Sequence, residues 1–308
     1  MTVRWGILST AGIGRVVAAA NPGLFTAIAG RDAARAAAWA AELGVPRSFG
    51  SYDELLADDE VDAVYIPLPV AMHTEWTIRA LRAGKHVLCE KPFAMTAADA
   101  AACFDAAEAA GKLCIEGLMW RHHPHTALAR RLVAEGVIGR LALIRTALTV
   151  DVPPGDIRRT GKLGGGALLD LGCYCVSAIR LFGGEPVSFS AARVIDTAPG
   201  ADGGDLRMAA TMVLPDDVLA QFDVALDFPR RDELELIGTG GRITIPDPWI
   251  CSEDYLEVNG ERLPVSRTDP YRLEFENASR SISEGVAPSI GREDAVAQAG
   301  VLEALRAS

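Results

Sequence analysis

The stretch Leu88-Cys89-Glu90-Lys91-Pro92 ends a run of strand-forming residues and leads into a helix predicted to open near Thr96. Lys is among the residues that are least often buried without a partner. In open α/β sheets, ligands bind at the carboxyl ends of the strands. We therefore expect Lys91 to face a ligand and Glu90 to hold it through a charge-assisted hydrogen bond. A solvated Lys at a surface strand end is the alternative.

The composition of the chain is that of a globular protein. Its 308 residues are 49% hydrophobic and 23% charged, so about two domains are expected. The net charge of −11 argues against a nucleic-acid partner. No apolar run reaches the ~18 residues that span a bilayer, and the start of the chain lacks a signal-peptide pattern. We expect no membrane partner.

Six cysteines occur without a CxxC pair, and a chain of this length needs no disulfide framework. Cys173 and Cys175 stand two positions apart, which is poor spacing for metal ligands. We expect reduced, buried cysteines and a cytoplasmic protein.

A short apolar strand near the start is followed by Thr10-Ala11-Gly12-Ile13-Gly14 and a predicted helix over about 13–20. This is the place of a dinucleotide-binding turn. In the GxGxxG frame, however, Ser9 and Ala11 fill the first two glycine positions and only Gly14 is kept. Small residues still let the backbone approach a pyrophosphate, and the helix start offers N–H groups. A tight turn in any βα unit has a similar pattern.

Arg31 and Asp32 follow the second predicted strand, residues 25–30. An acidic residue at this place suits the ribose of NAD, whereas an Arg accommodates the 2′-phosphate of NADP. Arg31 therefore indicates NADP, with NAD possible because Asp32 is adjacent. Asp32 is also the predicted cap of a helix over 33–43. A solvated Arg at a helix start is the alternative.

Strands and helices alternate through the first 120 residues. Capping boxes begin at Ser51 and Thr96, and strand-like runs occupy 61–66 and 113–117. Such alternation is typical of a doubly wound parallel sheet. We expect an α/β fold that begins with a Rossmann domain over residues 1–120.

The pattern changes after Pro124. Residues 218–227 alternate between apolar and polar side chains, which is the period of a strand, and Asn259-Gly260 is a two-residue hairpin turn. Helices are predicted over 125–135 and at the end of the chain. This half is expected to be an α+β domain, residues 121–308, with an open and mostly antiparallel sheet. We allow for the C-terminal helix packing back on the first domain.

A second polar pair stands in Leu168-Leu169-Asp170-Leu171-Gly172-Cys173-Tyr174, on a helix predicted over 167–181 after three glycines. Asp170 and Tyr174 are four positions apart, so they share a helical face. An Asp and a Tyr hydroxyl among leucines indicate a site. The alternative is an Asp that is hydrogen-bonded within the helix and a Tyr that belongs to the core.

Together these stretches resemble the Gfo/Idh/MocA family of NAD(P)-dependent oxidoreductases over essentially the whole chain. The resemblance rests on Trp5-Gly6-Ile7-Leu8, Glu90-Lys91-Pro92, Gly165-Gly166-Ala167-Leu168-Leu169-Asp170-Leu171-Gly172 and Arg292-Glu293-Asp294-Ala295. It implies a Rossmann domain and then an open sheet that often serves as an oligomer interface, hence a homodimer or homotetramer. It also implies that Lys91 and Asp170 belong to the catalytic group.

The resemblance also implies which positions contact the cofactor and the substrate. Arg121 and His123, where the chain leaves the last strand of the nucleotide domain, are weaker candidates for lining the substrate pocket. The cofactor-binding positions are Ser9, Thr10, Ala11, Gly12, Ile13, Arg31, Pro67, Leu68, His73, Glu90 and Lys91.

Three departures from the family pattern are informative. Many relatives carry a His four residues after the Asp, and this chain carries Tyr174. That resembles the branch of dihydrodiol dehydrogenases, glucose–fructose oxidoreductase and D-xylose dehydrogenases, which favours aldose or diol substrates over inositol. The usual Pro-Asn-x-x-His reads Pro69-Val70-Ala71-Met72-His73, so Val70 removes an amide near the nicotinamide. The chain is also short for the family, which indicates trimmed loops around the substrate pocket.

The physical roles of these residues lead to a mechanism. The nicotinamide carries the hydride chemistry, and the protein supplies orientation and proton transfer. Tyr174 is the candidate acid or base. Because a free Tyr has a pKa of about 10, it needs a nearby cation, and Lys91 lowers its pKa by charge proximity. Asp170 orients a sugar hydroxyl or the Lys.

Three histidines, His122, His123 and His125, flank Pro124 without clustered carboxylates, so no metal site is expected. Arg158 and Arg159 lie in a polar loop, 156–162, that either closes over the pocket or is simply solvated.

The predicted function is an NADP(H)-dependent oxidoreductase that transfers hydride between the nicotinamide and a sugar, keto-sugar or vicinal diol. The alternative is a catalytically silent NAD(P)-binding regulatory protein, since fold does not fix function. A third possibility is an enzyme that keeps its cofactor bound and shuttles hydride between two sugars.

Overall fold

The computed structural model describes residues 2–198 and 201–308. The chain divides into two compact units: residues 1–118 with 271–296 form the first unit, and 119–270 with 297–308 form the second. The α-helices are Gly12–Ala20 (α1), Ala33–Leu43 (α2), Tyr52–Leu56 (α3), His73–Arg82 (α4), Ala97–Ala110 (α5), Pro124–Ala134 (α6), Cys173–Gly183 (α7), Pro270–Glu284 (α8) and Arg292–Ala307 (α9).

The strands fall into one sheet in each unit. Those of the first unit are Trp5–Leu8 (β1), Phe25–Ala29 (β2), Arg47–Phe49 (β3), Ala63–Ile66 (β4), His86–Glu90 (β5) and Cys114–Gly117 (β6). Those of the second unit are Leu141–Asp151 (β7), Ser188–Ile195 (β8), Asp205–Val213 (β9), Leu219–Ala225 (β10), Asp227–Gly238 (β11), Gly241–Thr244 (β12), Tyr255–Val258 (β13) and Glu261–Pro264 (β14).

The sheet of the first unit is parallel throughout, in the order β3-β2-β1-β4-β5-β6. Every residue of β1 and β4 is buried, as expected for strands that helices cover on both faces. The strand order reverses between β1 and β4, and ligands bind at such a switch point, outside the carboxyl ends of the strands. The predicted doubly wound sheet is confirmed.

Local capping explains where several helices begin. Asp32 Oδ1 accepts from Arg35 N at 3.0 Å and caps α2, and Ser51 Oγ accepts from Glu54 N at 3.2 Å before α3. Thr96 Oγ1 caps α5 in the same way. The sequence patterns for these helix starts are therefore confirmed, whereas the three-residue strand β3 was not predicted.

Helix α8 completes the core of the first unit. The ring of Phe275 lies 5.0 Å from Trp5, 5.4 Å from Phe25 and 5.3 Å from Tyr65, measured between ring centroids and with edge-on geometry. Edge-on aromatic pairs add about 0.5–1.5 kcal/mol beyond the buried area. A residue near the end of the sequence is thus part of the same cluster as the first strand.

The sheet of the second unit has the order β14-β13-β12-β11-β7-β10-β9-β8. Strands β7 and β10 pair in parallel, and the other neighbours pair antiparallel. Asn259 and Gly260 join β13 to β14 with φ of 54° and 88°, as a type I′ hairpin turn requires. The predicted α+β fold with a mostly antiparallel sheet is confirmed.

Strand β10 shows why one face of this sheet is open. Ala220, Phe222 and Val224 are buried, while Leu219 and Gln221 on the opposite face are exposed. This alternation is typical of a sheet that packs on one side only.

The helix predicted over 167–181 differs from the one observed. Leu168–Gly172 forms a π-helical segment, and α7 follows it directly. The longer stretch Gly161–Gly183 is long and apolar enough to cross a membrane, but 78% of its apolar window is buried inside the protein. The buried core helix of a soluble protein meets the same criterion.

Candidate active site

The first turn of the first unit links two strand ends. Ser9 Oγ donates to Pro67 O at 3.2 Å and accepts from Ala11 N at 3.2 Å. Helix α1 then starts at Gly12, and Ala11 at its N-cap has no side-chain acceptor. The first N–H groups of α1 are therefore available for an anion. Thr10, Ala11 and Ile13 are half-buried and Gly12 is exposed.

Guanidinium groups lie beside this turn. Arg31 is exposed just after β2. Burial raises the pKa of the Tyr52 phenol, while the charge of Arg31 and its hydrogen bond to Tyr52 lower it in part. Arg35 Nη2 donates to Thr10 O at 3.2 Å, and Arg15 stacks 4.0 Å from the centre of the Trp39 ring. The sequence analysis missed Arg35, although it lies just one turn into the helix that Asp32 caps.

Glu90 binds the backbone beside Lys91. Tyr65 donates its O–H to Glu90 Oε1 at 2.6 Å, and Lys91 N donates to Glu90 Oε2 at 3.2 Å. The peptide bond between Lys91 and Pro92 is cis. The carboxylate therefore holds the main chain at the point where Lys91 leaves strand β5.

The next two residues are held as well. His73 Nδ1 lies 3.0 Å from Pro92 O, and His73 Nε2 lies 2.7 Å from Leu68 O. Burial lowers the pKa of His73 to about 4, so the ring is neutral near neutral pH and donates to one of the two carbonyls. Phe93 N donates to Glu116 Oε1 at 3.1 Å. We call residues 91–93, held in this way, the Lys91 segment.

In the second unit, residues 164–172 form a segment that we call the glycine segment. Two of its glycines lie very close to the backbone of neighbouring residues. Gly165 N donates to Thr160 O at 2.9 Å and Gly166 N to Arg158 O at 2.8 Å. A Cβ on Gly165 would lie 2.6 Å from Arg158 O, and one on Gly166, whose φ is +125°, would overlap Asp205 Oδ1. Only glycine fits these two positions.

Asp205 anchors the start of the helix that follows. Its Oδ2 accepts from Leu168 N at 2.7 Å. Burial raises the pKa of this carboxyl group, because water no longer stabilises its charge. The sequence analysis missed Asp205, since it stands far from the glycines in the chain.

The structure places Asp170 in the π-helical segment and Tyr174 in the first turn of α7. Asp170 is half-buried, and its charge raises the pKa of Arg158, although Asp156 has the larger effect. Tyr174 is 9% exposed. Its O–H donates to Met119 Sδ at 4.0 Å. π-Helical turns occur often at functional sites.

The weaker candidates also lie in the second unit. Arg121 is half-buried and donates to Ser177 Oγ at 3.1 Å. His123 is fully buried and caps α6, where its Nδ1 accepts from His125 N at 3.3 Å. Arg159 in the polar loop is not solvated, because it forms a buried ion pair with Asp196 at 2.7 Å.

Cys251 joins two of the histidines. Ligand atoms of His123, His125 and Cys251 all lie within 4.8 Å of one another, and all three residues are buried. A metal ligand needs a free imidazole lone pair and a thiolate. Nδ1 of His123 already accepts a hydrogen bond from His125 N at 3.3 Å, so this nitrogen is occupied. That no metal is bound stays a prediction.

These features define a class. A Rossmann unit whose first turn leaves helix N–H groups uncapped by a side chain, in a chain with an α+β unit, is typical of nucleotide-dependent oxidoreductases. Residues 6–118 match the family described as "Oxidoreductase family, NAD-binding Rossmann fold". Residues 126–244 match the "GFO/IDH/MocA C-terminal domain". The chain belongs to the Gfo/Idh/MocA family, as its sequence motifs predicted.

Similar proteins support the predicted enzyme class. D-xylose 1-dehydrogenase (NADP(+)) 2 of Haloferax volcanii is 38% identical, over 98% of this chain and 95% of that protein. Trans-1,2-dihydrobenzene-1,2-diol dehydrogenase of Danio rerio is 32% identical, over 91% of this chain and 85% of that protein. KijD10, a 3-ketoreductase from Actinomadura kijaniata, was solved with NADP and TDP-benzene and is 30% identical. The two structures superpose with a TM-score of 0.91, over 100% of this chain and 98% of that chain. The prediction of an NAD(P)-dependent oxidoreductase is confirmed.

Proposed function

We propose that this enzyme transfers hydride between NADP and a CH–OH carbon of an aldose, keto-sugar or vicinal diol. The observation that carries the proposal is the Lys91 segment: Glu90, His73 and Glu116 hold three consecutive residues at the carboxyl end of a central parallel strand. Preorganised groups of this kind stabilise charge that develops on a reacting oxygen. The named activities of the relatives support the same substrate class.

The cofactor proposal rests on the first unit. The turn from Ser9 to Ile13 would hold the pyrophosphate through backbone N–H groups, and Arg31, joined by Arg35, would pair with the 2′-phosphate that distinguishes NADP from NAD. Pro67 and Leu68 follow a strand next to the switch point. The remaining cofactor candidates are His73, Glu90 and Lys91.

The catalytic proposal assigns a role to each of three side chains. The nicotinamide, when bound, supplies the hydride chemistry. Tyr174 takes the proton of the reacting hydroxyl in oxidation and returns it in reduction. Lys91 stabilises the charge on that oxygen and on the Tyr phenolate. Asp170 orients a neighbouring hydroxyl of the substrate.

We further assign cofactor binding to residues 1–120, and substrate binding and oligomerisation to residues 121–308. Arg121 and His123 are proposed to shape the substrate pocket. The open face of the second sheet is proposed to pair copies of the chain into a homodimer or homotetramer. The small side chains Ala192 and Ala209 line a shallow cavity of about 360 Å³ on that face.

The chain contains six free cysteines, all buried. Free thiols persist in a reducing compartment, which supports a cytoplasmic location.

The test is a screen of the purified protein with NADPH and NADH against aldoses, keto-sugars and diols, followed by Tyr174→Phe. A general acid or base contributes roughly 100- to 10,000-fold, so we expect turnover to fall by about that factor while NADPH binding, followed by fluorescence, stays nearly intact. Tyr255→Phe in the same unit is the matched control. Unchanged turnover in Tyr174→Phe would remove the phenol from the mechanism. Cofactor binding without turnover on any substrate would favour the regulatory alternative.

A separate variant tests the cofactor proposal. Arg31→Ala removes one charged partner of a 2′-phosphate, and a hydrogen bond to a charged group is worth about 1.5–3 kcal/mol. We expect the Kd for NADPH to rise roughly 10- to 100-fold and the Kd for NADH to stay the same. An equal change for both cofactors would contradict the assignment.

A further inference from the structure

Three carboxyl groups gather behind the Lys91 segment in the first unit. Glu90 accepts the N–H of Lys91, and Glu116 accepts the N–H of Phe93. The third is Glu274 on α8, whose Oε1 lies 3.6 Å from the position of a Cβ built on Gly117. That glycine ends strand β6, directly after Glu116.

Glu274 differs from the other two carboxyls. It is 1% exposed, and within residues 2–198 and 201–308 neither of its oxygens has a hydrogen-bond partner. Burying an ionised carboxylate without a partner is very costly, and such a group takes up a proton instead. Burial, followed by the charges of Glu90 and Glu116, raises the pKa of Glu274 well above its usual value.

The phenol of Tyr65 is another ionisable group that interacts with this carboxyl. Tyr65 on β4 donates to Glu90, and burial, together with the charges of Glu90 and Glu274, raises its pKa well above the usual value. Tyr271 on α8 adds to the same effect on Tyr65. The phenol of Tyr65 is therefore neutral near neutral pH and cannot balance a third negative charge in the cluster.

We propose that Glu274 is a positioning residue for Lys91: it carries a proton, and this leaves Glu90 and Glu116 as the acceptors that hold the main chain on either side of Pro92. Loss of that proton places a third negative charge in the cluster. Like charges at close range repel each other, and the two carboxylates that move apart are those that hold Lys91 and Phe93. The inference rests on the proposed catalytic role of Lys91.

Glu274→Gln is the deciding variant, because Gln has the shape of the neutral acid and no charge at any pH. Glu284→Gln is the matched control, since it removes a carboxylate from an exposed position on the same helix. In infrared spectra near neutral pH, the carbonyl band of a buried protonated carboxyl should be present in the wild type and the control and missing in Glu274→Gln.

Hydrogen exchange then reports on position without any need for turnover. In the wild type and in Glu284→Gln, we expect protection of the Lys91 and Phe93 amides, corrected for the intrinsic rate, to fall by roughly tenfold or more as pH rises through the titration of Glu274. In Glu274→Gln, protection should stay constant. The wild-type titration reports this change by itself, even if the variant folds poorly.

With a substrate from the screen, kcat in the wild type should fall at alkaline pH, and Glu274→Gln should keep its neutral-pH kcat and lose that decline. A wild type without the carbonyl band, or with the same exchange profile as Glu274→Gln, overturns the proposal. A protein that shows both effects but turns over no substrate refutes the proposed function and leaves the positioning of the main chain established.

Discussion

The Lys91 segment and the glycine segment each carry a candidate catalytic residue, but different forces fix their conformation. Side chains hold the first, through carboxylate, phenol and imidazole contacts to three consecutive residues. Close backbone approaches hold the second, around Gly165 and Gly166. The glycine segment therefore tolerates no added Cβ at these two positions. Both segments also lie beside a buried carboxyl group whose pKa is raised, Glu274 for the first and Asp205 for the second.

The largest effect should come from Gly166→Ala. The new Cβ would overlap Asp205 Oδ1 at a φ of +125°, and such strain combined with a clash should cost about 3 kcal/mol or more of unfolding free energy. Gly155→Ala is the control, because its φ of +85° is also positive but its surroundings are open; about 1 kcal/mol is expected there. Urea unfolding measures both. Equal losses would show that the clash is relieved.

A smaller effect is expected in the other segment from Tyr65→Phe. The variant removes the O–H that donates to Glu90 Oε1 at 2.6 Å, and a hydrogen bond to a charged group is worth about 1.5–3 kcal/mol. We expect that loss in urea unfolding, together with faster amide exchange at Lys91. Stability and exchange equal to those of the wild type would mean that Glu90 does not depend on this phenol.

The smallest effect concerns pH. Because the pKa of Asp205 is raised in the fold, the native state binds this proton more tightly than the unfolded chain. The wild type therefore loses stability as pH rises from about 3.9, the unfolded value, through the raised native pKa. Asp205→Asn keeps an oxygen for Leu168 N and should lack this slope. Each pKa unit of difference between the native and unfolded carboxyl group is worth about 1.4 kcal/mol of stability.

Melting temperatures across that pH range measure the slope. Asp216→Asn is the control, since Asp216 is exposed in the same unit. A wild-type slope that matches Asp205→Asn would show that the native pKa of Asp205 is not raised.

Local patterns were enough to predict most elements of the first unit. The caps Asp32, Ser51 and Thr96 mark helix starts because the acceptor and the N–H it satisfies are three residues apart. Alternation of strands and helices then constrains the sheet to be parallel. The same reasoning identified the hairpin at Asn259, where a positive φ is required.

Long-range contacts account for what the sequence did not reveal. Three such approaches form only after folding: Asp205 to the glycine segment, Glu274 to Gly117, and Cys251 to His125. No short-range spacing signals such pairs. The π-helical segment was missed for a related reason: its side-chain pattern is that of an ordinary buried helix.

The candidate site was predicted from motifs rather than from periodicity. Lys91 stood out because a Lys at the end of a buried strand is unusual, and the structure shows how its main chain is fixed. Its neighbour Glu90 was predicted to hold Lys91 through a charge-assisted hydrogen bond. The structure shows its carboxylate accepting from the backbone N–H of Lys91, and the role of Glu90 in the site stays a prediction. The joint action of Lys91, Asp170 and Tyr174 stays a prediction for the variants above.

Phe275 has a consequence for how this protein is made. Trp5, Phe25 and Tyr65 leave the ribosome early, yet the ring that packs against all three is added only when translation reaches α8. For most of synthesis the nascent chain carries an uncovered aromatic surface, the kind of surface that chaperones bind and that promotes aggregation.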